Sequence, residues 1–264
     1  MLSRLSPVDH TVHTRAGSRR QDLLFSWHNV VPIHPLTTEA KNALKTELTT
    51  PLSLSAFEEA LRNHPDRLFV ALVLDTIQSG VNLGFTGDRT MSVLPPNHAK
   101  KAEDLDKLQA DVDDSLTRGW AVGWFSTPPF RGFRTSPLSV IDKTENGKVV
   151  GKRRITDASS PHGDSVNDGI QQLYCPDDHI ETVLEALHKA GPGAKLAKVD
   201  VEKAYRLLAV RKCDWPLLGI TLRGLYAVDT HSPFGLRASP PHWQRIAKAV
   251  RWILVFLGYN VFTT

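Results

Sequence analysis

Lys195 to Val210 reads KLAKVDVEKAYRLLAV. A short apolar run here carries one carboxylate, Asp200, near the end of a predicted strand, Lys195–Val201. Acids are depleted in strand interiors and costly when buried without a partner. The residues alone leave two readings. Asp200 caps the turn that follows, a place where Asp is common. Alternatively, it is a metal ligand at the strand's edge, because Mg²⁺ takes hard carboxylate oxygens together with substrate phosphates. Composition alone favours the turn.

Working outward, short strands are predicted near Leu207–Val210, Leu217–Leu222 and Leu225–Val228, with a helix over Ser239–Leu257. Upstream, a helix is predicted over Asp178–Ala190, closed by Gly191-Pro192-Gly193. LSVIDKTENGKVVGKRRIT, residues 138–156, reads as a β-hairpin, since Asn146-Gly147 between two apolar-rich runs is a strong turn signal. From Arg131 to Arg154 there are seven basic residues against two acids. No acid follows Asp229, while Arg237, Arg245, Lys248 and Arg251 do.

Before Gly119 the periodicity is helical. Leu54, Phe57, Leu61 and then Leu68, Ala71, Leu72 and Leu74 recur at helical spacing, with a break near Pro65 and an end at Gly80, Gly84 and Gly87. A further helix is predicted over Ala99–Arg118 with Leu105, Leu108, Val112 and Leu116 on one face. Three regions are therefore expected. Residues 1–52 form a flexible or loosely structured N-terminus, with Met1–Arg20 flexible. Residues 53–118 form a separate helical subdomain, and residues 119–264 mix helices and strands.

The 264 residues are 41% hydrophobic and 23% charged, a globular composition with a mild net charge of +4. That excess permits a polyanionic partner without demanding one. Two cysteines exclude a disulfide scaffold and a cysteine-based zinc cluster. No signal peptide is visible, and the apolar run Trp252–Leu257 is too short to span a bilayer. The expectation is an intracellular protein, cytoplasmic or nuclear, with no membrane partner. The histidines show no metal spacing with a cysteine. His162, Asp164 and Ser165 lack a nucleophile elbow, and Gly80–Gly87 lacks a phosphate-loop pattern.

Three blocks in order carry a resemblance. VDVEKAYRLLAV with the later LLGI, then YAVDTHSPFGLRASPPHWQRIAKAVRWIL, are similar to motifs A and B of reverse transcriptases. Upstream, SPLSVIDKTENGKVVGKRRITDASSPHGDSVNDGI resembles their fingers segment, and its SVND-type ending is most like the polymerases of DIRS-like, tyrosine-recombinase retrotransposons. The resemblance spans about Leu54–Thr264. It implies an α+β fold: right-hand polymerase fingers and partial palm, preceded by a small helical region. It implies an RNA-directed DNA polymerase that adds deoxynucleotides to a primer with two Mg²⁺ or Mn²⁺ ions. The implied partners are an RNA or DNA template with its primer, and deoxynucleoside triphosphates.

Position by position, the resemblance makes Asp200 the motif A catalytic carboxylate and metal ligand, with the Val201 carbonyl as a further ligand. Tyr205 becomes the bulky group under the incoming sugar, whose ring would exclude a 2′-hydroxyl. Phe234, Gly235 and Arg237 fall in the motif B loop beneath the templating pair, with Ser232 where relatives usually carry Leu. Arg153 matches the basic residue that grips the triphosphate, as a planar guanidinium suits phosphate. Lys143, Lys152 and Arg154 are supporting nucleic-acid contacts. A motif C Tyr-x-Asp-Asp turn is missing. Asp113-Asp114 and Asp177-Asp178 precede Asp200 and so lie in the wrong order. The expectation is a truncated polymerase, inactive alone, or a non-catalytic nucleic-acid-binding remnant.

Overall fold

A computed structural model describes residues 38–171, 180–195, 197–259 and 261–262. Strands β1 (Ala121–Phe125), β4 (Gly219–Leu222) and β5 (Leu225–Asp229) form an antiparallel sheet with β5 in the centre. β2 (Leu138–Glu145) and β3 (Lys148–Thr156) form a separate two-stranded hairpin. Its turn residues Asn146 and Gly147 both have positive φ, 51° and 75°. Asn-Gly adopts that conformation with little strain, and its twist matches that of the strands.

Helices cover both faces of the sheet. α1 (Thr38–Leu44), α2 (Leu54–Ala60) and α3 (Arg67–Ser79) precede it, and α4 (Ala102–Thr117) leads into β1. α5 (Val166–Gly169), α6 (Ile180–Ala190) and α7 (Ser239–Phe256) follow the hairpin in chain order. The Ser53 hydroxyl caps α2 by accepting from Ala56 N–H, and the Asp66 carboxylate caps α3 by accepting from Phe69 N–H. Successive residues of a strand point to opposite faces, so Val228 of β5 enters one apolar cluster and Ala227 the other. The larger cluster joins Leu61, Val70, Val73 and Ile77 to Val122, Phe125, Val228, Leu236 and Ile246. The smaller joins Leu108 and Val112 of α4 to Leu138, Ile220, Leu222 and Ala227.

Elements on both sides of residue 118 thus share these two clusters. Each fully buried Leu, Val or Ile contributes roughly 1.5–3 kcal/mol. The four that α2, α3 and their junction supply therefore amount to about the net stability of a whole domain.

The inward face of α3 also differs from the expectation. Val70, Val73 and Ile77 are buried, while Leu68 is 71% exposed. Apolar residues surround this helix, so spacing alone does not select its buried side. α4 follows its expected face, with Leu108 and Val112 buried and Leu105 and Leu116 packed beside them.

Two predicted strands are absent. Residues 197–201 are irregular, and Val199 is 88% exposed. Among the described residues no segment lies alongside to complete a ladder, and strand geometry persists only when a neighbour takes up its backbone groups. Ala204–Leu207 coil instead into a 3₁₀ helix. Leu208–Val210 are buried but held by isolated bridges, with Val210 N–H donating to Thr230 O at 2.8 Å and Val81 N–H to Ala209 O at 2.8 Å. Helix α1 falls in the stretch expected to be loosely structured. Met1–Arg20, Cys175 and Asp177-Asp178 lie outside the described residues. No described helix is long and apolar enough to cross a membrane.

Candidate functional site

The 3₁₀ turn Ala204–Leu207 presents Tyr205 and Arg206 in opposite roles. The Tyr205 ring stands 5.0 Å from the ring of Phe234, tilted by 43°. Phe234 is 76% exposed, so the pair forms the surface of a small aromatic shelf. Arg206 turns inward. Its Nη1 donates to Asp229 Oδ1 at 2.6 Å and to the His231 carbonyl at 3.1 Å. Asp229, at the end of β5, is 2% exposed. A buried carboxylate persists only when paired, and Arg206 supplies the pair.

The segment Thr49–Thr50 holds the same two pieces from outside. Thr50 Oγ1 donates to Leu207 O at 2.7 Å, and His231 Nε2 lies 2.8 Å from Thr49 O. Burial lowers the His231 pKa from its ordinary value, with the Thr49 contact opposing that effect.

The loop Ser232–Arg237 meets the end of the hairpin. Gly235 has φ +92°, and a Cβ placed there would lie 2.3 Å from Thr156 O. Only glycine accepts both the conformation and the approach. Behind the loop, the Asn167 amide of α5 donates to Gly235 O at 2.8 Å, while its Oδ1 accepts from Arg237 N–H at 2.7 Å. Arg237 Nη1 donates to Ile170 O at 3.1 Å.

Alternation along β3 sorts its basic residues. Lys152 and Arg154 share one face, and Arg153 takes the other. Lys152 pairs with Asp104 at 2.6 Å and Glu103 at 3.3 Å, clipping the hairpin to α4. The Asp104 hydrogen bond is the first cause raising the Lys152 pKa above its ordinary value. Arg154 is almost fully covered, with Nη2 3.8 Å from Asp229 Oδ2. Burial lowers its pKa, and Asp229 partly offsets this. The Arg154 guanidinium, expected to contact nucleic acid, here lies against Asp229, as its place along the strand dictates. Arg153 is exposed and makes no ion pair among the described residues. Lys143 pairs with Glu145 at 2.6 Å near the hairpin tip.

The structure thus brings Tyr205 and Phe234 together, sets Gly235 against Thr156 at the end of β3, and turns Arg237 toward Ile170. Asp200 and Val201 are exposed in the irregular stretch that leads into Tyr205. No group of three or more His, Cys, Asp or Glu side chains suited to a metal ion occurs among the described residues. Asp113 and Asp114 sit on α4, where Asp113 accepts from Trp124 Nε1 at 2.8 Å and Asp114 pairs with Arg118. Asn167, Arg206 and Asp229 belong to the site and were not singled out from the sequence. The one signal for Asp229 is its place at the end of an apolar strand between two basic segments.

No protein-family model matches the chain, and a search of curated proteins found no match. Solved structures do match. The foamy viral protease–reverse transcriptase in complex with RNA/DNA hybrid is similar at TM-score 0.50 and 16% identity, over 83% of this chain and 29% of that one. The same enzyme in complex with double-stranded DNA gives TM-score 0.47 and 17% identity, over 83% of this chain and 45% of that one. Native prototype foamy virus protease–reverse transcriptase gives 0.46 and 18%, over 83% and 29%. The chain therefore has a reverse-transcriptase-like fold and spans 29% of the length of the first of these structures.

Proposed function

We propose that the chain is the fingers and part of the palm of an RNA-directed DNA polymerase of the DIRS-like retrotransposon kind. Its own residues bind primer–template and the sugar of an incoming deoxynucleotide. The observation that carries this reading is the meeting of Tyr205 and Phe234. The resemblance puts Tyr205 under the sugar and Phe234 in the loop beneath the templating pair, packing on the sugar or base, and the two come from separate motifs. Arg153, exposed on the outer face of β3, is the candidate for the triphosphate or the nucleic-acid backbone.

Asp200 and the Val201 carbonyl are the groups that would take Mg²⁺ or Mn²⁺, and such ions would supply activation of the primer hydroxyl and charge neutralisation at the leaving pyrophosphate. A two-metal centre needs more carboxylate than Asp200, and the described donors do not gather into one. No catalytic step is therefore assigned to this chain alone. The same observation favours the second reading, a non-catalytic nucleic-acid-binding remnant.

Binding of a labelled primer–template, titrated at several salt concentrations, tests what both readings share. Affinity should fall steeply with salt and depend little on sequence. Arg153→Ala should weaken binding and reduce the salt slope by about 1. Absence of binding, or an unchanged slope in the variant, would overturn the assignment. Primer extension separates the two readings. Fused to the palm hairpin and thumb of a related reverse transcriptase, a polymerase fragment should gain extension that Asp200→Asn abolishes, and a remnant should gain none.

A further inference from the structure

We infer that Asn167, which lies behind the shelf and not on it, is the residue that positions the Phe234–Arg237 loop against Tyr205. The residue is 5% exposed, and both amide hydrogens and the amide oxygen are engaged. Nδ2 donates both to Gly235 O at 2.8 Å and to Ser159 Oγ at 2.9 Å. Oδ1 accepts from Arg237 N–H at 2.7 Å. The two loop groups it holds flank Leu236, whose side chain anchors in the larger core. The loop has no regular secondary structure of its own, so its course is set by what satisfies its backbone.

Asn167 can act this way because its own backbone is fixed. It sits in the single turn α5, closed by a capping box in which the Ser165 hydroxyl accepts from Asp168 N–H and the Asp168 carboxylate accepts from Ser165 N–H. Asn167 N–H donates to Ala158 O at 2.9 Å, tying that turn to the segment just after β3. The end of β3 is also where Gly235 makes its close approach to Thr156 O. Asn167 therefore joins the hairpin end, the loop and the helical turn at one point. No other uncharged side chain of this size offers two donors and an acceptor. Asp lacks the donors, and Gln carries its amide one methylene further. Because Phe234 directly precedes the held Gly235, the position of Asn167 sets the gap between Phe234 and Tyr205. On the proposed polymerase reading, that gap is where deoxyribose is told from ribose.

The test uses the full chain with two variants, Asn167→Ala and Asn167→Asp. Amide hydrogen exchange needs no ligand. The expectation is at least tenfold faster exchange at Leu236 and Arg237 in Asn167→Ala. In Asn167→Asp, which keeps an acceptor for Arg237 N–H, the acceleration should be smaller at Arg237 and confined to this loop. Amides of β5 and α3 report whether the fold is intact. Unchanged exchange at Arg237 in both variants would overturn the inference.

The consequence is read with base-labelled deoxy- and ribonucleoside triphosphates in the presence of primer–template. Deoxy preference should fall at least threefold in Asn167→Ala, while primer–template affinity stays within twofold. Equal preference in wild type and variant, with the loop loosened, would sever Asn167 from sugar choice. If the unmodified chain binds no nucleotide or primer–template, the polymerase reading fails, while the exchange result still decides what Asn167 holds.

Discussion

Tyr205 and Phe234 meet ring to ring with centroids 5.0 Å apart, the first from a 3₁₀ turn and the second from an irregular loop. Such pairs are worth about 0.5–1.5 kcal/mol beyond area burial. Because Phe234 is largely exposed, the low end applies. A double-mutant cycle with Tyr205→Leu and Phe234→Leu should return a coupling near ~0.5 kcal/mol. Strict additivity would show that the contact does not persist in solution.

Gly235→Ala should be far more damaging than its size suggests. The new methyl group would fall 2.3 Å from Thr156 O, on backbone at φ +92°. The loop cannot shift away without straining the hydrogen bonds of Asn167 to Gly235 O and Arg237 N–H. A loss of about 2–4 kcal/mol is expected, read as a shift in the denaturation midpoint. A loss under about 0.5 kcal/mol would mean that the loop is free to move.

Asp229→Ala should destabilise by about 3–5 kcal/mol, because it strands two covered guanidiniums, Arg206 and Arg154. Arg154→Met should cost much less. It removes a charge whose Nη1 has no hydrogen-bond partner among the described residues and leaves Asp229 paired with Arg206. Equal losses in the two variants would show that the cluster is not organised around Asp229.

Ser232 is fully buried, and its hydroxyl has no partner among the described residues. Replacing an unsatisfied buried hydroxyl by an apolar group is neutral or stabilising. Ser232→Ala should therefore raise stability by up to about 1 kcal/mol. Destabilisation would reveal a hidden partner.

Acid should weaken the fold before the carboxylates titrate. Burial, reinforced by Arg245, lowers the His242 pKa to about 4 from 6.5. Its Nε2 lies 3.0 Å from Asn82 O and its Nδ1 3.2 Å from Arg245 Nη1, so the neutral ring donates to the first and accepts from the second. A depressed pKa means the unfolded chain takes up the proton first. The stabilisation is thus complete above pH 6.5 and is lost as the pH falls toward 4, by about 3 kcal/mol. His231 and His64, both also lowered mainly by burial, act in the same direction. His242→Gln keeps a donor for Asn82 and cannot titrate, so it should flatten the fall in denaturation measured from pH 7 to 4.5. An identical profile in the variant would exclude His242 as its source.

Local signals in the sequence located the hairpin, α4 and α7, because each carries its own punctuation or period. Asn146-Gly147 turns where it should, and Leu108 and Val112 face inward as their spacing requires. What escaped depended on partners far along the chain. Asp229 reads as the polar end of a strand until Arg206 and Arg154 arrive beside it. Asn167 lies in a polar run, SPHGDSVND, and nothing there announces a bond to Gly235. The stretch around Asp200 has the composition of a strand, but composition cannot supply the neighbour that would make it one. Lys152 and Arg154 read as supporting contacts beside Arg153, and only the pleat of β3 shows that they face the other way.

The common core of α2, α3, β1, β5 and α7 also sets how the chain can be cut. Excision at the compositional break near Gly119 would uncover Val122, Phe125, Val228, Leu236 and Ile246 together, since Leu61, Val70, Val73 and Ile77 are what cover them. A shortened piece beginning there would be sticky and prone to precipitate, however well it preserved the recognisable motifs. Proteases acting on the intact chain should accordingly spare the α4–β1 connection near Gly119 and cleave first in the exposed stretch around Val199, which no ladder protects.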